Sequence, residues 1–237
     1  MGVRGFLMIK PYYKTDLGVL YHGDCLTIMP HLEPVDLVLT DPPYGINAHT
    51  LQPPSDSYRK RTKRSPSKRL NCGSGKLKDR ILNKSDCGWD CKPPTKEYFK
   101  LMFAISQNQI IWGGNYFQLP PTRGIIVWDK QQPWDNFSQC ELGWTSYDFP
   151  AKIFRFNKSF VKDKKHPTQK PIGLMVFCLE ISKTKGMVLD THLGSGTTAI
   201  ACERLNRRWI GIEIGEKYCE ISARRIEKER QQLKLFT

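Results

Sequence analysis

Residues Asp41, Pro42, Pro43 and Tyr44 follow directly on an apolar run, VDLVLT (35–40). The group carries one carboxylate and a short stretch of backbone that can only accept hydrogen bonds, because proline has no N–H and its φ is fixed. Tyr44 adds a flat aromatic face. A rigid row of acceptors beside a ring, set at the carboxyl end of a strand, stands where open α/β sheets bind ligands. A turn-capping aspartate is the plain alternative that DPP alone would allow.

A second group lies near the other end of the chain. VLDTHLGSGTTA (188–199) reads as strand, glycine-rich turn and helix. Gly194 and Gly196 let the backbone turn tightly and approach a ligand closely. No lysine follows the glycines, so the loop is not a phosphate-binding P-loop. Glu213 closes the next strand about 20 residues later, where nucleotide-binding α/β folds place the acid that takes the ribose hydroxyls. An ordinary glycine-capped turn is the competing reading of the loop alone.

These residues need strands and helices to hold them. Strands are expected at 18–24, 35–40, 109–114, 124–130, 186–190 and 208–214, each short and bounded by turn residues. Helical spacing appears at 95–107, with Tyr98, Leu101, Met102 and Ile105 on one face. It recurs after Pro171, with Leu174, Met175, Cys178, Leu179 and Ile181 as the stripe, and again from about Thr197 and over 217–235. A short helix is expected between the first two strands. Strands alternating with helices predict a single α/β domain over 1–237. It would be Rossmann-like, with a mixed, mostly parallel sheet covered by helices on both faces.

One stretch breaks this pattern. Over 52–80 the chain is rich in Pro, Ser and Gly and holds ten Lys and Arg against two Asp, more than half of the net charge of +14. It lacks the apolar residues to fold alone, and a flexible basic insert is expected over 52–94. The sequence pI of about 9.5 is typical of nucleic-acid binders. Arg59, Lys60, Arg61, Lys63, Arg64, Lys68 and Arg69, so near Tyr44, suit a flap that contacts phosphates; a merely solvated charge run is the alternative. No apolar run approaches the ~20 residues of a membrane span, and residues 1–13 carry no secretory pattern. A cytoplasmic protein, monomeric or homodimeric and off the membrane, is expected. Of eight cysteines, Cys72, Cys87 and Cys91 lie closest together, but their spacing is poor for zinc and no histidine is near. No metal is expected.

Taken in order, the motifs resemble a known family. GDC (23–25), DLVLTDPPYG (36–45), IIWGGNYF (110–117), WDK (128–130) with ELGWTS (141–146), HPTQKP (166–171), DTHLGSGTT (190–198) and WIGIEIGEKYCEIS (209–222) are similar to pieces of the amino-group DNA methyltransferases that use S-adenosylmethionine. The likeness is to the permuted beta group, in which the catalytic motif precedes the cofactor motif, and to its N6-adenine type. It spans nearly the whole chain outside the basic insert. It implies a class I methyltransferase fold and, as substrate, DNA with the target base flipped out of the duplex.

The resemblance also implies roles. Asp41 and the Pro42 carbonyl would accept from the adenine amine, and Tyr44 would stack on the base. Asp190, Gly194, Ser195, Gly196 and Thr197 would line the amino-acid end of the cofactor, with Glu213 on its ribose. Asp24, with Cys25 beside it, would serve the adenine moiety, and His166, Gln169 and Lys170 would close over the methionine portion; Lys170 reads equally as a solvated helix-start lysine. One departure stands out. Where the family usually has Pro-Phe after the aspartate of the glycine loop, this chain has Thr191 and His192, a flat but more polar pair expected to cost cofactor affinity. Asp in DPPY favours adenine over cytosine. The small size suggests an orphan enzyme of bacterial or phage origin. The rivals are N4-cytosine or RNA methylation and a decayed, non-catalytic DNA-binding module.

Overall fold

The computed structural model describes residues 9–46, 88–132, 138–157 and 169–234. His166 and the basic residues from Arg59 to Arg69 lie outside the described residues.

Among the described residues one sheet forms from β1 (Tyr13–Lys14), β2 (Gly18–His22), β3 (Val35–Thr40), β4 (Ser106–Trp112), β5 (Ile125–Asp129), β6 (Cys140–Thr145), β7 (Lys152–Arg155), β8 (Val188–Asp190) and β9 (Trp209–Glu213). The order across it is β1-β2-β9-β8-β3-β4-β6-β5-β7. The central run β2-β9-β8-β3-β4 is parallel throughout. β6 enters antiparallel between β4 and β5, and β7 pairs parallel to β5 at the edge.

The mixed, mostly parallel sheet matches the sequence reading, but β1, β6 and β7 were not foreseen. Their burial explains why. β1 has two residues, β7 is almost wholly exposed, and the first half of β6 is open to solvent, so none shows an apolar run or a clean alternation.

Helices cover both faces. On one, α1 (Cys25–Ile28) and α2 (Lys96–Ile105) pack Cys25, Ile28, Tyr98, Met102 and Ile105 against Val38, Ile111, Leu189 and Ile212. On the other, α3 (Ile172–Ser182), α4 (Thr197–Arg204) and α5 (Glu216–Lys234) pack against Leu37, Leu39, Ile110, Trp112, Val188 and Trp209. Successive strand residues thus serve opposite faces, as the pleat requires. α2 stops at Ile105 instead of reaching 107, because Ser106 turns extended and leads straight into β4. Pro171 stands at the N-cap of α3, one position before the first turn, and Ser182 is buried where Ile181 is only partly so.

The topology fixes where a ligand belongs. From β3 the chain moves outward through α2 to β4; from β8 it moves the opposite way through α4 to β9. The two progressions part at the β8–β3 pair, and the crevice beyond the carboxyl ends of such a pair is the binding position of open α/β sheets.

Away from that crevice, Glu203 of α4 ties the far side of the sheet. Its Oε1 accepts from Thr15 Oγ1 at 2.7 Å and Trp209 Nε1 at 2.9 Å, and Arg230 of α5 lies 3.6 Å from Oε2. Glu203→Ala leaves two buried donors unpaired and a cation short of a partner. It should destabilise the protein by about 2–4 kcal/mol, read as a lower urea midpoint with an unchanged slope.

Candidate active site

Four carboxylates stand in a row along the carboxyl ends of four consecutive parallel strands. Asp24 follows β2, Glu213 closes β9, Asp190 closes β8 and Asp41 follows β3. With strands ~4.8 Å apart, the row spans roughly 14 Å. Asp190 and Asp41 flank the switch point.

The glycine loop occupies one half of the row. Gly194 and Gly196 have φ of 56° and 83°, backbone that an L side chain adopts only under strain. The Gly194 N–H donates to Glu213 Oε2 at 2.8 Å, and the Gly215 N–H to Oε1 at 2.7 Å. Glu213 therefore fixes the loop as well as facing the crevice. From α5, Ser222 Oγ donates to the Gly194 carbonyl at 2.7 Å, and Arg225 Nη1 donates to the Ser195 carbonyl and hydroxyl. Ser195 Oγ in turn donates to Gln169 Oε1 at 3.2 Å, which holds the start of the α3 segment against the loop. Thr197 begins α4.

Asp24 is exposed and caps α1 through the Leu26 N–H at 2.9 Å. Cys25 beside it is buried, and burial pushes its thiol up to about 12, so it packs as a neutral residue. Asp190 is buried and accepts from the His192 N–H at 3.0 Å; burial pushes its carboxyl up to about 6.

The unusual Thr191 and His192 are built into this half. The buried Thr191 hydroxyl lies 2.9 Å from Thr40 Oγ1, 2.7 Å from the Tyr98 hydroxyl and 3.0 Å from His192 Nδ1. The His192 ring meets Tyr98 edge to face, with centroids 5.3 Å apart. Burial lowers the imidazole to about 4, so at neutral pH His192 is an uncharged flat ring.

The other half centres on Asp41. Its Oδ1 accepts from the Tyr44 hydroxyl at 2.6 Å, and its Oδ2 lies 2.5 Å from Lys170 Nζ. Lys170 is buried. It also lies 3.1 Å from Glu141 Oε2, and the other Glu141 oxygen lies 2.6 Å from the buried Lys130. The result is a chain of alternating charge, Asp41, Lys170, Glu141 and Lys130, with both ammonium groups buried and both carboxylates partly exposed. Burial raises the Asp41 carboxyl above its ordinary value and Lys170 opposes that shift. Burial would lower Lys170, but Asp41 and Glu141 override it and hold the ammonium above its ordinary value. Burial and then the charge of Asp41 hold the Tyr44 phenol well above 10, so it stays a donor.

The DPPY turn is clamped from outside. Asp90 Oδ1 accepts from the Tyr44 and Gly45 N–H groups at 2.8 and 3.0 Å. Asp90 is buried in a turn at Gly88–Cys91, within the stretch expected to be a basic insert. The Tyr44 ring stacks on Tyr116 at 4.8 Å and 17° and meets Phe117 edge-on. Gly113, at φ 73°, passes so close that a Cβ there would sit 2.1 Å from the Tyr44 ring.

The structure thus sets the described candidate residues along the carboxyl ends of the parallel strands. The Lys170 ammonium sits on the Asp41 carboxylate, as a buried group and not a solvated one. Sequence reasoning missed Lys130, Glu141, Asp90, Tyr116, Ser222 and Arg225. Lys130, Glu141, Tyr116 and Ser222 lay inside quoted motifs, but nothing local showed what they would touch.

The lowered imidazole gives a pH test. Between pH 6.5 and 4 the unfolded chain binds a proton at His192 that the folded protein refuses, so acidification through this window costs stability. Asp190, raised from its ordinary value, acts with the opposite sign. The difference between wild type and His192→Phe isolates the histidine. The variant should gain on wild type by up to about 3 kcal/mol as pH falls from 6.5 to 4, measured by urea unfolding at several pH values.

Comparison with known proteins agrees with this geometry. A DNA methylase family model matches residues 57–224, more than half of the chain. The chain is 24% identical over 269 residues to the Type II methyltransferase M2.DpnII of Streptococcus pneumoniae, covering 96% of each. It is 27% identical over 262 residues to M2.MboI of Moraxella bovis, covering 92% of each. Among solved structures it resembles PvuII DNA methyltransferase (cytosine-N4-specific), with a TM-score of 0.57 at 16% identity over 94% of this chain and 95% of that one. M1.HpyAVI with bound SAM gives 0.53 at 20% identity over 87% and 98%. These likenesses fix the fold as the Rossmann-like class I methyltransferase fold. The chain therefore belongs to the DNA methylase family and is a DNA-methylating enzyme.

Proposed function

We propose that this enzyme methylates the exocyclic N6 amine of adenine in DNA, with Asp41, Pro42 and Tyr44 acting on the base. The observation that carries the reading is the placement of Asp41 and the Pro42 carbonyl at the switch point, beside the aromatic face of Tyr44 and next to the glycine loop. An amine attached to an aromatic ring is a poor nucleophile, because its lone pair is delocalised. Acceptors placed on its N–H groups favour the tetrahedral, positive nitrogen of the transition state.

The methyl donor is S-adenosylmethionine, which supplies, when bound, an electrophilic methyl group on a positively charged sulfur. The donor set fits it. Glu213 and Asp24 offer carboxylate oxygens to ribose hydroxyls and an adenine amine, and Asp190 with the glycine loop forms a close, anionic edge suited to a cationic amino-acid end. Neutral His192 gives a flat surface beside it. As the amine nitrogen bonds to the methyl carbon, the carbon–sulfur electron pair stays with sulfur, and the nitrogen then sheds one proton. Asp41 need not be a strong base, since that proton becomes acidic only as the bond forms. To reach Asp41 the base leaves the duplex at a cost of a few kcal/mol, and stacking on Tyr44 offsets part of it. Cytosine N4 poses the same demand on the acceptors. It is the second reading, favoured by the resemblance to the cytosine-N4-specific enzyme. Modification-sensitive sequencing of DNA from cells expressing the protein separates the two and gives the recognised site.

Asp41→Ala should abolish methyl transfer and leave cofactor binding intact, whereas Glu213→Ala should weaken cofactor binding by about 1–3 kcal/mol. Calorimetry with S-adenosylmethionine and a labelled-methyl assay on both variants check the division of labour.

We also propose that Arg59, Lys60, Arg61, Lys63, Arg64, Lys68 and Arg69 contact DNA phosphates. The support is the density of charge within thirty residues of Tyr44. Each phosphate neutralised adds ~0.9 to the slope of log affinity against log salt. Replacing Arg59, Lys60, Arg61, Lys63 and Arg64 by Ser should flatten that slope by several units on every DNA sequence alike, read from titrations at a series of salt concentrations.

A further inference from the structure

Each oxygen of Asp41 already holds a donor: Oδ1 the Tyr44 hydroxyl at 2.6 Å and Oδ2 Lys170 at 2.5 Å. An incoming amine shares an oxygen with one of them, and it faces the full charge of that oxygen only where the partner gives way. Tyr44 is fixed on several sides, by Asp90 through its backbone, by Tyr116 and Phe117 against its ring and by Gly113 at its edge. Lys170 is the partner that can leave. Its ammonium already lies 3.1 Å from Glu141 Oε2 on the opposite side from Asp41's strand, and it sits over the rings of Tyr44 and Trp112 at 5.8 and 5.5 Å. A buried cation stripped of its counter-ion is strongly destabilising. With Glu141 in reach, releasing Asp41 leaves the ammonium paired. Lys130, 2.6 Å from the other oxygen of Glu141 and buried above Trp128, keeps that carboxylate in place.

We propose that Glu141 is the alternative seat of the Lys170 ammonium: on base entry Lys170 shifts from Asp41 Oδ2 to Glu141, and the target amine takes the oxygen it vacates. Lys170 and Glu141 are then positioning residues that act through Asp41, and Lys130 buttresses Glu141. No bond forms or breaks in the exchange; only hydrogen-bond partners change. The inference rests on the reading of Asp41 as the acceptor of the amine. It gives Lys170 two tasks. Before the base arrives it holds the carboxylate ionised and aimed, and afterwards it withdraws so that the full charge of Asp41 faces the nitrogen that is becoming positive.

Among the described residues, the charged and titratable groups around Asp41 are Lys170 before α3, Glu141 on β6, Tyr44 after β3 with Tyr116 behind it, and Asp190 on β8. Only Lys170 among them is a cation, so its removal should be visible in the pH profile. In Lys170→Met the acid limb of single-turnover methyl transfer should move upward by at least one pH unit, because Asp41 then faces Glu141 and Asp190 without a cation. Glu141→Gln alone would strand Lys130, so the informative variant is the double change Glu141→Gln with Lys130→Met, which keeps the local charge balanced. It should slow single-turnover transfer at least tenfold and leave S-adenosylmethionine affinity within twofold. Its acid limb should not move upward, since Lys170 stays on Asp41. An unmoved limb in Lys170→Met, or wild-type transfer in the double variant, overturns the exchange while leaving the reading of Asp41 intact. Transfer retained in Asp41→Ala overturns both.

Discussion

Carboxylates set side by side at the rim of a parallel sheet repel one another and lose their water, and the architecture around this site answers both problems. Asp190 and Asp41 occupy adjacent strands with little solvent, and neither could stay ionised on its own. Asp41 is held by a buried ammonium, Glu213 by two backbone N–H groups, and Asp24 by exposure and a helix N-cap. Asp190 receives a backbone N–H and no cation, and burial pushes its carboxyl up to about 6. The positions of α3, of β6 and of the glycine loop follow from supplying those partners.

Charge supply also explains why the sheet is mixed. A strand that runs with its neighbours delivers its last residue to the ligand crevice; one that runs against them delivers its first. β6 is antiparallel to β4, and its register sets Gly143 opposite Trp112, so Glu141 projects past the carboxyl end of β4. A parallel strand in that place would present its tail, and the whole β5–β6 connection would need reversal. The Thr191–His192 pair shows a comparable adjustment on the cofactor side. The threonine hydroxyl bridges β3, α2 and the histidine, and the low imidazole value keeps the replacement ring neutral where a charge would be least welcome.

Much of this was legible beforehand. β3 and β9 read plainly because a buried parallel strand is a short apolar run between turn residues, and the acids that close or follow them are local to those runs. The glycine loop read plainly because its conformation demands glycine. The rest depends on pairings far apart in the chain. Lys170 could not be told from a solvated lysine until β6 placed Glu141 beside it. Asp90 sat in a stretch whose composition spoke for a loose insert, and only its contact with the Tyr44 and Gly45 amides gives it a role. β7 hides because an edge strand exposed on both faces has no period to show. Ser222 and Arg225 looked like ordinary residues of a charged helix until their side chains met the glycine loop.

That last contact changes how the two ends of the cofactor half communicate. Ser222 and Arg225 project from the middle of α5 and take the carbonyls of Gly194 and Ser195, so the loop conformation and the docking of a nineteen-residue helix share the same hydrogen bonds. A ligand that selects the ordered loop therefore also selects the docked helix, and its binding energy is partly spent as local folding stability. Occupancy of the crevice becomes a clamp on amide exchange along α5.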